Sequence, residues 1–297
     1  MAGDMINKRD NKGATGVWCA SLTPLNSDLS IDLIHLIDHI QFLLDNGIHG
    51  IGLFGTTGEA TSFSTSERMV TLEGLLRRGI PKDTLMVGTG CSALTDTTEL
   101  TKHAIECGVT KVLTLPPFYY KNVSDSGLFE SFSEIIDRTQ SDLLELYLYH
   151  FPIMSQVPIS VDLIAKLQKK FPNIIAGVKD SSGDLKHTLN LTDQFPDLAI
   201  LPGNETHLLA ALNHGATGCI SATANANPQG IRSIFDGWIN QENDIEPLQA
   251  RALAIRNAFG KHQLVSALKQ FASWSTRDDS WLRFRPPLRE LEPSESA

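Results

Sequence analysis

The chain predicts an α/β fold, a (β/α)8 TIM barrel followed by a C-terminal helical extension. Eight short runs rich in apolar and β-branched residues alternate with amphipathic segments from residue 16 to about 235, and they recur about every 30 residues. Runs this apolar imply a parallel sheet covered on both faces, and eight such units close most naturally into a barrel. The rival, an open doubly wound sheet, normally carries a Gly-rich dinucleotide turn after its first strand, whereas residues 21–27 read Ser-Leu-Thr-Pro-Leu-Asn-Ser.

The expected strands are 16–22, 49–55, 84–90, 111–117, 144–150, 174–180, 198–203 and 216–222. Between the first two, Ser30-Ile-Asp-Leu precedes an apolar stripe at i, i+3 and i+4 and Gly47 follows it, which marks a helix with both ends signed. Ser64-Thr-Ser-Glu67 has the form of a capping box, and the helix it opens stops near Gly79. Gly108 and Gly215 close two later helices, and Ser160-Val-Asp opens another at Leu163, Ile164 and Leu167. From about 240 the pattern is helical, Glu246 to Phe259 and Gln263 to Trp274, with a Pro-Pro tail and no linker-like stretch. Residues 14–235 are therefore expected to form the barrel, and 236–297 a helical extension packed on it.

With 41% apolar and 20% charged residues the composition is that of a globular protein, which excludes disorder and fibres. A net charge of −9 with no Lys or Arg run excludes nucleic acid as the expected partner. Cys19, Cys91, Cys107 and Cys219 stand singly, as reduced thiols of a cytoplasmic protein do. The first 13 residues are polar and lack the apolar centre of a signal peptide, and no run approaches the about 18 apolar residues needed to cross a bilayer, so neither export nor a membrane is expected.

In such a barrel the chemistry sits at the C-terminal ends of the strands. Of the 13 lysines only Lys111 and Lys179 fall in strand segments. Lys111 opens the fourth strand, at the bottom, and reads as solvated or stabilising. Lys179 lies near the top of the sixth, where burial would disfavour its ammonium and favour a Schiff-base nucleophile; a salt bridge to Asp180 or a neighbouring carboxylate explains its position equally well. Gly55-Thr56-Thr57-Gly58-Glu59 ends the second strand: two glycines, backbone N–H groups and two hydroxyls suit a small carboxylate, while a plain strand-to-helix turn would use the same residues. Tyr147 and Tyr149 alternate to one side of the fifth strand, and Tyr149, nearer the top, is a proton-transfer group or a core tyrosine. Phe118, Tyr119 and Tyr120 follow the fourth strand at the same rim. His35 and His39, at i and i+4, lack the Glu of a metalloprotease helix and read as a solvated face, so no metal is expected.

The segments GIGLFGTTGEA (50–60), PFYY (117–120), YHFP (149–152), GVKDSSGD (177–184) and GCISATAN (218–225) resemble, in order, the signatures of the dihydrodipicolinate synthase/N-acetylneuraminate lyase superfamily, the pyruvate-dependent class I aldolases. The resemblance implies a homotetrameric (β/α)8 barrel whose lysine, here Lys179, forms an imine with pyruvate or another 2-keto acid and passes it to or from an aldehyde, without a metal or another cofactor. It places carboxylate binding on Thr57 beside Gly55, a hydroxyl relay on Thr56, the acid/base on Tyr149 and a substrate contact on Ile220. The relay tyrosine lent by a neighbouring subunit falls on Phe118, with Tyr119 in the relay position of the chain's own subunit; one extra residue before Ser124 keeps Tyr120 as the alternative.

Two departures bear on the substrate. Synthases that use aspartate semialdehyde carry an arginine two residues after the Tyr-x-x-Pro proline, and here Met154 stands there with no cation from 153 to 158. If that carboxylate were buried unpaired, aspartate semialdehyde would be a poorer partner by roughly 10²–10³-fold, unless Arg283 or Arg285 in the tail folds over the mouth. Ser181 matches a hydroxylated position of sialate lyases and sugar-acid aldolases, and Gly203, Asn204, Glu205 and Thr206 occupy the loop where those enzymes meet polyol hydroxyls. The expected activity is cleavage or formation of a 2-keto-3-deoxy sugar acid; the alternatives are 4-hydroxy-tetrahydrodipicolinate synthase, a keto-deoxy-sugar-acid dehydratase and, from a different class, a non-catalytic binding barrel.

Overall fold

A computed structural model describes residues 13–292; the polar stretch 1–12, expected to contain no signal peptide, and residues 293–297 lie outside the described residues. Eight strands, β1 (Gly16–Ala20), β2 (Gly50–Leu53), β3 (Leu85–Gly88), β4 (Lys111–Thr114), β5 (Glu145–His150), β6 (Ile175–Asp180), β7 (Ala199–Pro202) and β8 (Gly218–Ser221), form one parallel sheet in the order β7-β6-β5-β4-β3-β2-β1-β8. Val17 faces Cys219 across β1 and β8, and the Thr217 amide donates to the Ile200 carbonyl at 3.1 Å, bringing the sheet round to a nearly closed TIM barrel. The paired segments are shorter than the apolar runs that announced them. Leu22, for example, has left the ladder but stays buried against Val265, Leu268 and Trp281, so burial by the extension keeps it apolar after pairing has ended.

Helices fill the gaps: α1 (Leu33–Asp45), α2 (Thr65–Arg77), α3 (Leu94–Glu106), α4 (Asp125–Thr139), the single turn α5 (Pro152–Ser155), α6 (Val161–Lys170), α7 (Leu185–Gln194), α8 (Leu208–Asn213) and α9 (Pro228–Ile239). Asp32 caps α1 by accepting from the His35 amide, Ser160 caps α6 through Leu163, and Ser64 and Glu67 complete the expected capping box. Gly47, Gly79, Gly108 and Gly215 all take positive φ just past helix ends, as C-terminal caps require.

Strand alternation sorts the core into two layers. Val17, Ile51, Val87, Leu146, Val178 and Ile200 pack outward against helix residues such as Leu36, Ile40, Leu72 and Leu163, while Trp18, Met86, Leu113, Tyr147, Tyr149, Leu201 and Ile220 fill the barrel. Each fully buried large apolar side chain contributes about 1.5–3 kcal/mol. Lys111, expected to be solvated or stabilising, pairs with Glu145 at 3.8 Å at the barrel bottom.

The C-terminal helices α10 (Glu246–Phe259) and α11 (Leu264–Thr276) follow. Val265, Leu268, Ala272, Trp281 and Phe284 bury themselves against Leu22 and Ala222, so α11 and the tail rest on the loops after β1 and β8. That packing overturns the solvated His35–His39 face. His39 is 8% exposed, its Nε2 lies 2.8 Å from Asn225 Oδ1, and both imidazoles stand edge-on to Trp281. The i, i+4 spacing fixed a shared face but could not show that the far end of the chain covers it.

Candidate active site

Lys179 and Tyr149 are Cα partners on β6 and β5, so period-2 alternation sends both side chains into the barrel. Lys179 is 3% exposed, and its Nζ stands 4.2 Å from the centroid of the Tyr149 ring. The Tyr149 hydroxyl lies 3.4 Å from Thr56 Oγ1 on the turn after β2. Lysine, phenol and hydroxyl from three strand ends are thus brought together. Asp180, the salt-bridge alternative for Lys179, points away from it: His187 Nδ1 and the Thr188 hydroxyl bond its Oδ2 at 3.0 and 2.7 Å. Burial opposes the Asp180 charge, but these bonds and the Ser182 amide outweigh it and hold the carboxyl below its usual range, while Asp180 pulls the His187 imidazolium's pKa up.

The turn Gly55–Glu59 is closed by Glu59 N to Thr56 O (3.1 Å) and Ala60 N to Gly55 O (3.2 Å), and Thr23 donates to the Gly58 carbonyl. Among the described residues none accepts from the amides of Thr56, Thr57 or Gly58, which leaves three backbone donors beside two hydroxyls. The left-handed positions are Phe54 and Glu59 (φ 55° and 57°) rather than the glycines. Glycine matters instead at Gly88, where a Cβ would stand 2.1 Å from the Phe54 carbonyl oxygen. Glu59 swings inward to meet Lys269 of α11; the side chains are 0% exposed and Nζ lies 2.5 Å from Oε1.

A cavity of about 260 Å³ opens at this end of the barrel. Apolar Phe54, Leu113, Leu115, Phe118 and Met154 dominate its wall, with Thr56, Thr61, Tyr149 and Ser155 as its polar side chains and no charged residue. Lys179 lies behind that wall, over the Tyr149 ring. Phe118 faces the cavity, whereas Tyr119 and Tyr120 stand edge to face outside it, 74% and 73% exposed. The tail arginines do not fold over the mouth: Arg283 donates to the Leu25 carbonyl, and Arg285 binds Glu67 and the carbonyls of Ser62 and Leu29. The sequence reading missed Lys121, whose ammonium donates to the carbonyls of Phe118 and Ser155 and ties together the loops after β4 and β5.

Ser181 packs against Gly203, where a Cβ would collide with the Ser181 hydroxyl, and the Thr206 amide donates to Asn204 Oδ1. Glu205 is 0% exposed and accepts from both Ser221 and Thr223 hydroxyls. None of these residues, nor Thr57 or Ile220, lines the cavity, and Ile220 belongs to the inner barrel layer. Burial pushes the Cys19 and Cys219 thiols up; Glu205 adds to the effect and Lys179 opposes it. The Ser221 and Thr223 partners of Glu205 were legible only as hydroxyls at the end of β8.

A family model described as the dihydrodipicolinate synthetase family matches residues 13–296. The chain is similar to a Chloroflexus aurantiacus protein described as an uncharacterized DapA-like lyase, 38% identical over 284 residues, 95% of this chain and 93% of that one. A 4-hydroxy-tetrahydrodipicolinate synthase of Rhodospirillum centenum is 33% identical over 224 residues, 75% of each chain. The crystal structure of dihydrodipicolinate synthase from Agrobacterium tumefaciens superposes with a TM-score of 0.88 at 33% identity, covering 95% of this chain and 96% of that one. On its barrel, its buried lysine and these likenesses, the chain belongs to the dihydrodipicolinate synthetase family.

Proposed function

We propose that the protein is a class I lyase that makes and breaks a carbon–carbon bond beside a pyruvate imine on Lys179. The observation that carries this reading is the buried Lys179 Nζ against the Tyr149 ring, with the Thr56 hydroxyl next in line. In the cleavage direction, Lys179 Nζ adds to the keto carbon of a 2-keto acid and water leaves as the imine forms. Tyr149 has given its proton to the departing water, so its phenolate takes the proton of the C4 hydroxyl, the C3–C4 electrons flow into the protonated imine, the aldehyde departs, and Tyr149 holds the proton that C3 then receives. The remaining enamine takes a proton at C3, and water then hydrolyses the imine to free pyruvate and lysine. The keto-acid carboxylate rests on Thr57 and the amides of the Gly55–Glu59 turn. Pyruvate with borohydride should leave a reduced adduct on Lys179, read by peptide mass mapping. An unmodified Lys179, or activity lost to a chelator and restored by a divalent metal, refutes the mechanism.

The aldehyde half is uncharged in this reading, because the cavity wall has no cation to receive a second carboxylate. A 2-keto-3-deoxy sugar acid suits it, with Thr61 and Ser155 in the cavity wall as hydroxyl partners and Ser181, Gly203 and Thr206 shaping the loop beyond that wall, while Glu205 braces the loop from beneath. Lys121 favours the second reading: released from the Ser155 carbonyl, its ammonium would stand near Met154 and take the carboxylate of aspartate semialdehyde. The names of the relatives fit that synthase reading equally. Comparison of kcat/KM for the two substrates decides it; a tenfold or greater preference for aspartate semialdehyde makes the protein a synthase, and release of water without an aldehyde makes it a dehydratase. The protein works in the cytoplasm as a homotetramer in this proposal. Its four cysteines are free, no described helix is long and apolar enough to cross a membrane, and exposed Tyr119 and Tyr120 offer a rim for a neighbouring subunit. A monomer by light scattering would remove any relay role across subunits.

A further inference from the structure

His35 and His39 border a second cavity, on the outer side of the barrel between α1, α11 and the loop after β8. It measures about 360 Å³, larger than the catalytic mouth and within the roughly 300–1,000 Å³ of small-molecule sites. Phe42, Phe271 and Trp281 supply aromatic surface, and Asp38, His39 and Asn225 supply polar atoms beside His35 and the Ser275 and Thr276 hydroxyls, both of which already donate to the Ala272 carbonyl; no Lys or Arg lines it. Asn225 Oδ1 already accepts from the Leu22 amide at 3.1 Å, and its amide nitrogen donates to Ala20 and Ala222 carbonyls, so its orientation is fixed. An amide oxygen only accepts, hence the His39 proton sits on Nε2 and its Nδ1 is a bare acceptor. Burial keeps this imidazole neutral, its pKa pushed down to about 4, and no described residue donates to Nδ1. Asp38, the neighbouring position on α1, stands exposed at the rim.

Asp38 and His39, an anion and an imidazole with a free acceptor nitrogen, thus border a box of aromatic rings. An anion would meet the Asp38 carboxylate and no cation there, and a neutral ligand would forgo both the Asp38 charge and the ring faces' attraction for cations. We propose that this cavity is a binding site for a small protonated amine with an aromatic or compact apolar body, its ammonium held by Asp38 and His39 Nδ1 and its body lying on Phe42 and Trp281. The site is separate from the catalytic mouth, with which it shares no lining residue.

Calorimetric titration of the full chain at pH 7 with benzylamine, benzyl alcohol and benzoate tests this. Benzylammonium should bind saturably at one site, benzyl alcohol about tenfold or more weakly, and benzoate not measurably. Asp38→Asn should weaken benzylammonium about tenfold, to the level of the alcohol. Ser275→Phe, which fills the cavity from an exposed position with little risk to folding, should abolish binding. Absence of saturable benzylammonium binding, equal binding of all three compounds, or unchanged affinity in either variant would overturn the proposal.

Discussion

Replacing Lys269 by Met should destabilise the protein at neutral pH by about 3–5 kcal/mol, although Lys269 lies far in sequence from the Gly55–Glu59 turn. Lys269 and Glu59 form an ion pair with both side chains 0% exposed, and Lys269 also donates to the Arg283 carbonyl at 3.0 Å. Burial pushes the Glu59 pKa up and the Lys269 pKa down, with their mutual attraction opposing both. Without the ammonium, Glu59 remains in a site with no other described partner and must stay charged at high cost or take up a proton. The sign follows from the second route. An acid whose folded pKa is raised weakens the fold as pH climbs above its unfolded pKa, at about 1.4 kcal/mol per unit, so the deficit at pH 7 should shrink towards pH 5. Urea titration of parent, Lys269→Met and Lys269→Met/Glu59→Gln measures it; the double variant should recover at least about 2 kcal/mol, since it removes the stranded charge. A single variant losing less than about 1 kcal/mol, or a double variant no better than the single, refutes the argument.

Tyr149→Phe should retain imine trapping at Lys179 but slow bond cleavage about 10²–10⁴-fold, and a variant as fast as the parent would make Tyr149 structural. Met154→Arg should raise kcat/KM for aspartate semialdehyde; because Met154 is 60% exposed, the gain should be nearer tenfold than the 10²–10³ expected for a buried carboxylate, and no gain would remove the position from substrate choice. Burial lowers the pKa of His39, His49 and His150 from 6.5 to about 4, so the stability linked to their neutral forms is present above about pH 6.5 and is lost as pH falls towards 4, by at most about 3–4 kcal/mol each. His187, raised by Asp180, acts in the opposite sense. Denaturation at pH 7 and pH 5 should show the loss, and His39→Gln should reduce it; equal stabilities of the parent at the two pH values would contradict the assignment.

The barrel, its helix ends and Lys179 were legible because they depend on short-range order. Alternation sets which face a strand residue takes, Ser64 and Glu67 lie within one helical turn, and a glycine after a helix needs only local backbone freedom. The resemblance likewise named Tyr149 and Thr56, and the fold needed only to bring strand ends together. Contacts set by distant parts of the chain were not legible. His39 looked solvated because nothing near it in sequence announces Trp281 or Asn225, and Glu59 looked like a turn residue until α11 delivered Lys269 to it. Lys121 and the tail arginines show the same limit, since a long flexible cation reaches whichever acceptors the assembled loops present. The sequence by itself determined the periodicities and the reactive residue types. Tertiary structure alone decided burial and pairing, because both depend on which surfaces far apart in the chain are pressed together and closed to water.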